Sequence, residues 1–324
     1  MKYRYLGSTK IKVSEIGFGA WGIGGNFNQS KAYGPTSDEV SSSALLEAID
    51  RGVNFFDTSP LYGFGHSEEL IGKTLKKYRD KIIILTKVGY VDFTGKQVFS
   101  YNHLKESLEL SLRRLKTEYV DILQLHDLPI KFIEDSSEIV NCLKDLKKEG
   151  KVRFFGISTK TQEESKKIID LDFFDCMQIN FNLIDQRAIE NGLFDKCFKN
   201  KVGIIVRTPL CFGFLTGKYN SKSLFHKDDH RSLWSKKQVD VWASAYELFL
   251  EKLAQDPQRT NAQAALRFCI SFNEVSTIIP GMLTKDHVKE NTFSSDLGRY
   301  SNNVINMFKN IYQDNSFFIK KNDQ

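Results

Sequence analysis

The chain has 324 residues, 41% hydrophobic and 27% charged, with a formal net charge of +6. That is the make-up of an ordinary globular protein, long enough for one large domain or two smaller ones. No apolar stretch reaches membrane-spanning length and no long basic stripe accompanies the positive charge, which argues against both a membrane and a nucleic acid as partner. The five cysteines (Cys142, Cys176, Cys197, Cys211, Cys269) are widely spaced and form no C-x-x-C pair. A disulfide frame and a metal site are therefore not expected. Met1-Lys2-Tyr3-Arg4-Tyr5 has no apolar signal core behind it, and a reducing cytoplasmic setting fits.

In chain order, residues 2–16 read as a small hairpin around Gly7-Ser8, with a first strand near 14–18. Val40, Ala44, Leu45, Ala48 and Ile49 recur at helical spacing across 38–51. Strands at 53–57, 82–87, 120–126, 152–157, 175–179 and 202–206 then alternate with helices at 67–78, 102–116, 136–149, 161–170 and 187–199. A polar segment, 216–237, interrupts the pattern before helices at 238–254 and 261–272, a strand at 275–279 and a helix at 284–293. Residues 300–312 read as one more helix. Eight strands alternating with helices, undivided by a Pro/Gly linker, predict an α/β fold. The expected form is a (β/α)8 TIM barrel over residues 1–316, with an N-terminal β-hairpin, extra C-terminal helices and a frayed tail at 317–324. An open doubly wound sheet is the alternative.

In such barrels the active site lies at the C-terminal ends of the strands. Asp57, Lys87, His126, Ser158, Gln178 and Arg207 stand at those ends on six consecutive predicted strands, and Tyr62 follows Asp57 within Asp57-Thr58-Ser59-Pro60-Leu61-Tyr62-Gly63. Each has a plain reading alone. Asp57 could cap a loop, Tyr62 could be a rim aromatic, Lys87 a solvated strand end and His126 a satisfied core histidine. An acid, a phenol, an amine and an imidazole brought to one edge of a sheet form a proton-transfer site.

Gly17-Phe18-Gly19-Ala20-Trp21-Gly22 matches the G-x-G-x-x-G dinucleotide fingerprint. That motif works only where a helix starts inside it, with its N-terminus on the pyrophosphate. The continuation, Ile23-Gly24-Gly25-Asn26-Phe27-Asn28, predicts instead a loop at the barrel rim, from which Trp21 could line a pocket.

The Asp57–Gly63 string, Ser67-Glu68-Glu69-Leu70-Ile71-Gly72 and Thr86-Lys87-Val88-Gly89 resemble the aldo-keto reductase family. So do Asp121–His126, Gly156-Ile157-Ser158, Gln178–Asn182, Pro209-Leu210 with Gly213–Lys218, and Ile279-Pro280-Gly281 with Glu290-Asn291. The resemblance implies a (β/α)8 barrel that binds an extended nicotinamide cofactor without a Rossmann domain. Reduction of a carbonyl then takes a hydride from the nicotinamide and a proton from Tyr62. Lys87 is expected to lower the Tyr62 pKa, Asp57 to keep Lys87 charged, and His126 to orient the carbonyl oxygen or share in the proton relay.

For the cofactor, the resemblance implies contacts from Gly19 and Trp21, and carboxamide hydrogen bonds from Ser158, Gln178 and Thr159, which replaces the usual Asn. Arg207 stands where relatives place a stacking aromatic, next to Thr208, Pro209 and Leu210. Leu215, Gly217 and Lys218 belong to the pyrophosphate clamp, in a loop made basic by Lys222, Lys227 and Arg231 and diluted by Asp228 and Asp229. Gly281, Thr284, Lys285, His287, Glu290 and Asn291 form the adenosine end. Leu283 occupies the position of a frequent phosphate-gripping Arg, which keeps NAD(H) open; NADP(H) is favoured because the resembled family mostly uses it and Lys285 is available. Trp21, Phe27, Tyr90, Phe93 and Trp234 are candidate pocket walls for a small carbonyl or sugar-like substrate. A monomer or weak homo-oligomer is expected. The alternative function is a cofactor-binding, redox-sensing subunit with little turnover.

Overall fold

The computed structural model describes residues 1–26, 31–129, 132, 137–250, 253 and 259–319. The hairpin pairs β1 (Tyr3–Tyr5) with β2 (Lys12–Ser14) antiparallel. The strands β3 (Phe18–Gly19), β4 (Phe55–Asp57), β5 (Ile83–Val88), β6 (Val120–Leu125) and β7 (Val152–Ser158) follow in chain order. With β8 (Cys176–Asn180), β9 (Gly203–Arg207) and β10 (Val275–Ile278) they make one parallel sheet, eight-stranded among the described residues. Parallel bridges Ile16–Ile278 and Gly19–Gly281 join its two ends, and the Gly17 N–H donates to the Ile278 carbonyl at 2.8 Å. The sheet thus closes into a (β/α)8 barrel, and the open doubly wound form is excluded.

The glycine-rich run serves this closure. A Cβ on Gly19 would lie 2.6 Å from the Ile279 carbonyl oxygen, so only glycine lets β3 meet the segment after β10. The run leads into a single 3-10 turn, Gly22–Gly24, and among the described residues the next α-helix is α1 (Asp38–Asp50). The fingerprint's helix is absent from its required place.

Outside the sheet lie α2 (His66–Leu75), α3 (Tyr101–Leu115), α4 (Ser137–Lys148), α5 (Gln162–Ile169), α6 (Arg187–Glu190) and α7 (Leu193–Lys199). They are followed by α8 (Lys236–Leu250), α9 (Asn261–Ile270), α10 (Lys285–Leu297) and α11 (Asn302–Gln313). The single helix expected over 187–199 is two, broken where Gly192 takes a left-handed φ of 73°. The predicted helix ends at 136 and 254, and Phe27, lie outside the described residues. The frayed tail expected from 317 does not hold at its first residue. Phe317 is buried, and its carbonyl accepts from Gln238 Nε2 and Trp242 Nε1, both at 2.9 Å. Residues 320–324 are outside the description.

Side chains alternate along each strand, one face inward and one toward the helices. Phe55, Ile83, Leu85, Ile122, Cys176 and Ile205 fill the barrel interior, and Leu6, Ile11 and Val13 of the hairpin plug its base. Phe56, Ile84, Leu123, Met177 and Ile204 pack outward under the helices. Counting on by two from the interior set reaches Asp57, Lys87, Gln124, Gln178 and Arg207. The inward positions turn from apolar to polar at the strands' C-terminal ends, which places the ionisable groups at one mouth.

Candidate active site

Lys87 is the centre of this mouth. It is fully buried, and its Nζ donates to Asp57 Oδ1 at 2.7 Å, to the Thr58 carbonyl at 2.9 Å and to Tyr62 Oη at 3.1 Å. Gln178 Nε2 donates to the same Asp57 oxygen at 2.7 Å. Tyr62 reaches Lys87 because its loop is pinned from both sides. Ser67 Oγ donates to the Ala20 carbonyl and shares a hydrogen bond with Thr58 Oγ1. Gly63, at φ 63°, packs so tightly on Gly24 that a Cβ would lie 2.1 Å from the Gly24 carbonyl oxygen. His126 stands edge-on to Tyr62 with ring centroids 6.5 Å apart, and edge-on to Tyr90 at 4.8 Å. The four groups expected to act together are together.

Their electrostatics differ from expectation at one point. Burial pushes the Tyr62 phenol well above its ordinary value, and the Asp57 charge pushes the same way. Burial pulls the Lys87 ammonium down, with Asp57 opposing. Burial and the Asp57 charge therefore outweigh whatever lowering the Lys87 ammonium supplies, and the phenol stays raised in the protein alone. Burial, with Lys87 and Arg207 adding to it against Asp127, brings His126 down to about 3. The imidazole is neutral at neutral pH, which leaves it available as a hydrogen-bonding group rather than as a cationic acid.

The other predicted residues divide into two groups. A cleft of about 960 Å³ opens over the mouth. Gly19, Trp21, Asp57, Tyr62, His126, Gln178 and Arg207 line it near the strand ends. Thr208, Pro209, Leu210, Lys218, Gly281, His287, Glu290 and Asn291 line it farther along the chain, with Tyr90 and Phe93 as additional aromatic wall.

The second group does not face this cleft. Ser158 is fully buried, and its hydroxyl donates to Asp127 Oδ1 at 3.0 Å and accepts from the Asp127 N–H at 2.9 Å. The Thr159 hydroxyl turns toward α5, where it pairs with Ser165 Oγ at 2.5 Å and the Thr161 carbonyl at 3.2 Å. It borders a smaller cavity of about 350 Å³ with Gln162 and Arg187. A carboxamide bond from Thr159 is corrected on that ground: its hydroxyl is already used by the cap of a neighbouring helix. Leu215 is fully buried in the core, and Gly217 ends a 3-10 turn with φ 73°. The Thr284 hydroxyl caps α10 by accepting from the His287 N–H, and Lys285 begins that helix away from the cleft lining. Trp234 packs against Phe212 and Trp242 instead of forming a pocket wall.

Arg231, expected to add charge to the loop after β9, does not. It is buried, clasped by Asp229 (Nη2–Oδ2 2.6 Å), and enclosed by the rings of Tyr33, Tyr219 and Phe225 at 4.6–5.0 Å. Its charge is spent on structure. Asp229 in turn bridges Ala32 and Tyr33, and the His230 N–H donates to the Ala32 carbonyl at 2.8 Å, so two rim loops meet beside the cleft.

Two residues absent from the predicted site, Asn180 and Asp127, are held in it by Arg207. The guanidinium donates to Asn180 Oδ1 at 3.0 Å, to Asp127 Oδ1 at 3.1 Å and to the Thr159 carbonyl at 3.1 Å. Asn180 carries a sequence signal, being two residues beyond Gln178 on the same face of β8. Asp127 carries a weaker one, as a charge directly after the apolar β6 run.

A family model for the aldo/keto reductase family matches residues 15–313. The chain belongs to that family. It is 34% identical to Aldo-keto reductase YhdN of Bacillus subtilis (strain 168) over 238 residues, covering 72% of this chain and 69% of that protein. It is 28% identical to the NADH-specific methylglyoxal reductase of Escherichia coli (strain K12), across 90% of this chain and 92% of that protein. The solved structure of aldo-keto reductase AKR11C1 from Bacillus halodurans, in its holo form, superposes with a TM-score of 0.77 at 25% identity, covering 99% and 98% of the two chains. Membership makes the chain an aldo/keto reductase-type oxidoreductase, and carbonyl reduction with a nicotinamide cofactor is the chemistry it supports.

Proposed function

We propose that the protein interconverts an aldehyde, ketone or keto-sugar and its alcohol with NADP(H), and that Tyr62 is the general acid and base. The observation that carries this is the Lys87 ammonium, 3.1 Å from Tyr62 Oη and 2.7 Å from Asp57. The main cleft suits a dinucleotide, since its volume of about 960 Å³ is near the top of the ~300–1,000 Å³ range for small-molecule and cofactor sites. Gln178 and Asn180 offer amides at the strand mouth, and Lys218, His287 and Asn291 offer polar groups from the later elements of the same lining. When bound, the nicotinamide gives or takes the hydride. Tyr62, held neutral by burial, gives its proton to the carbonyl oxygen. Lys87 stabilises the phenolate left behind, Asp57 keeps Lys87 charged, and His126 hydrogen-bonds the oxygen as its charge develops.

NADPH and NADH oxidation measured with a panel of aldehydes, ketoses and keto-sugars tests the reading. Tight cofactor binding with no oxidation by any of them overturns it in favour of a redox-sensing subunit.

Two further outcomes are expected. Reduction by wild type shows no acid limb near 6.5, the ordinary value for histidine, because His126 is neutral down to about 3. Alcohol oxidation needs the phenolate and so rises with pH through the alkaline range, as the raised Tyr62 pKa requires. A limb of the reduction profile near 6.5 would sink the neutral-imidazole assignment. For the cofactor, burial lowers the His287 pKa and the Lys218 charge adds to it, and both side chains line the main cleft. We assign them to the 2′-phosphate in place of the missing Arg, which moves Lys218 there from the pyrophosphate clamp. Lys218→Ala is expected to weaken NADPH binding by roughly tenfold, the scale of one charge-assisted hydrogen bond, and to leave NADH binding within about twofold. Equal losses for both cofactors in fluorescence titrations refute the assignment.

A further inference from the structure

The geometry points to Asp127 as a specificity-determining residue that selects carbonyl substrates bearing a hydroxyl group close to the carbonyl. This rests on the reductase reading above and names the substrate class for it.

Asp127 directly follows His126, and its backbone sits at φ 50°, in the left-handed region that Asp and Asn tolerate best among residues with a side chain. One carboxylate oxygen is occupied. Oδ1 accepts from Ser158 Oγ at 3.0 Å and from Arg207 Nη1 at 3.1 Å. Oδ2 accepts from Tyr90 Oη at 3.4 Å, beyond the ~2.5–3.0 Å of a normal O–H···O bond. An ionised carboxylate has about four acceptor positions, so capacity remains on Oδ2. Asp127 lines the main cleft between Tyr90 and Arg207, with 15% of its side chain exposed. Burial opposes its charge, but Arg207, His126 and Ser158 outweigh it and hold the carboxyl at about 2. It is a fixed acceptor beside the reacting centre.

A fixed acceptor favours a ligand that donates. An ammonium ligand gains little here, because the Arg207 guanidinium already neutralises the carboxylate. An anionic ligand meets the carboxylate directly. A neutral hydroxyl loses nothing to either charge. The wall beside it is the ring of Tyr90, with Phe93 and Trp21 also lining the cleft, and these faces suit the C–H groups of a hydroxylated carbon chain. Tyr90 spans the two groups, its hydroxyl 3.4 Å from Asp127 Oδ2 and its ring centroid 4.8 Å from that of His126, so the preferred hydroxyl lies within a few carbons of the carbonyl. Hydroxyaldehydes, hydroxyketones and open-chain sugars belong to this class.

The test is a ratio. The kcat/KM for glyceraldehyde divided by that for propanal is measured in wild type and in Asp127→Asn. Asparagine keeps the left-handed φ and an Oδ1 for Ser158 and Arg207, but replaces the charged acceptor Oδ2 with an amide. The ratio is expected to fall about tenfold, the difference between a charge-assisted and a neutral hydrogen bond. A purely positioning role for Asp127 lowers both substrates by the same factor, and an unchanged ratio overturns the proposal. Should the variant not fold, competitive inhibition of propanal reduction in wild type decides. Glycerol is expected to inhibit at least tenfold more strongly than 1-propanol, and glycerol no stronger than 1-propanol overturns the proposal. Wild type that reduces neither aldehyde with NADPH or NADH overturns the reductase reading itself, and this inference with it.

Discussion

Tyr62→Phe is expected to lower kcat/KM for aldehyde reduction by about 10²–10⁴, the contribution of a positioned general acid, with nicotinamide binding unchanged within about twofold. The substitution removes one oxygen and keeps the ring. The loop that carries residue 62 is fixed by Ser67, Thr58 and the Gly63–Gly24 contact, none of which involves the hydroxyl. The hydroxyl's partner in the protein is Lys87 Nζ, which retains Asp57 and the Thr58 carbonyl. Stability should therefore change little, and the loss should appear in turnover. Steady-state kinetics with cofactor titration on the same preparation separates the two. Near wild-type turnover in this variant removes Tyr62 from the role of acid.

The fold is legible in the sequence where burial leaves few choices. Ile82-Ile83-Ile84-Leu85-Thr86-Lys87 is apolar on both faces because helices cover one side of the barrel and other strands the other. A lysine can end such a run only where a partner waits, so the charge at its end marks the mouth. The same logic locates Asp57, Gln178 and Arg207. Pairings between distant segments are not legible. Arg207 and Asp127 are 80 residues apart, and nothing local says that the guanidinium is held by that carboxylate. Thr159 falls to the cofactor by analogy with an asparagine, yet a hydroxyl is short enough to be captured by Ser165 on its own loop and helix. Arg231 reads as a solvated charge because its neighbours in the chain are polar. The aromatic cage around it is drawn from residues 33, 219 and 225, a grouping without periodicity.

Lys87→Met separates the structural and chemical duties of the buried charge pair. Methionine keeps most of the aliphatic stem, so the packing loss is small. Among the described residues, Asp57 would then keep only Gln178 Nε2 as a side-chain donor, at 2.7 Å, inside a site where it is 2% exposed. Breaking a buried ion pair by removing one partner costs about 3–5 kcal/mol, because the remaining charge is left uncompensated. Denaturant unfolding should show a loss of that size, and kcat/KM should fall by at least ~10²–10³, the effect of removing one donor from a developing anion. The double variant Asp57→Asn/Lys87→Met removes the stranded charge. The neutral amide can still accept from Gln178, so much of the lost stability should return. Activity should not return, because Tyr62 still has no ammonium to hold its phenolate. Recovery of turnover together with stability would mean that Lys87 serves the fold alone, and Tyr62 would then need another source of phenolate stabilisation. Arg207 is the nearest candidate, since it is the first cation to lower the Tyr62 pKa against burial and Asp57.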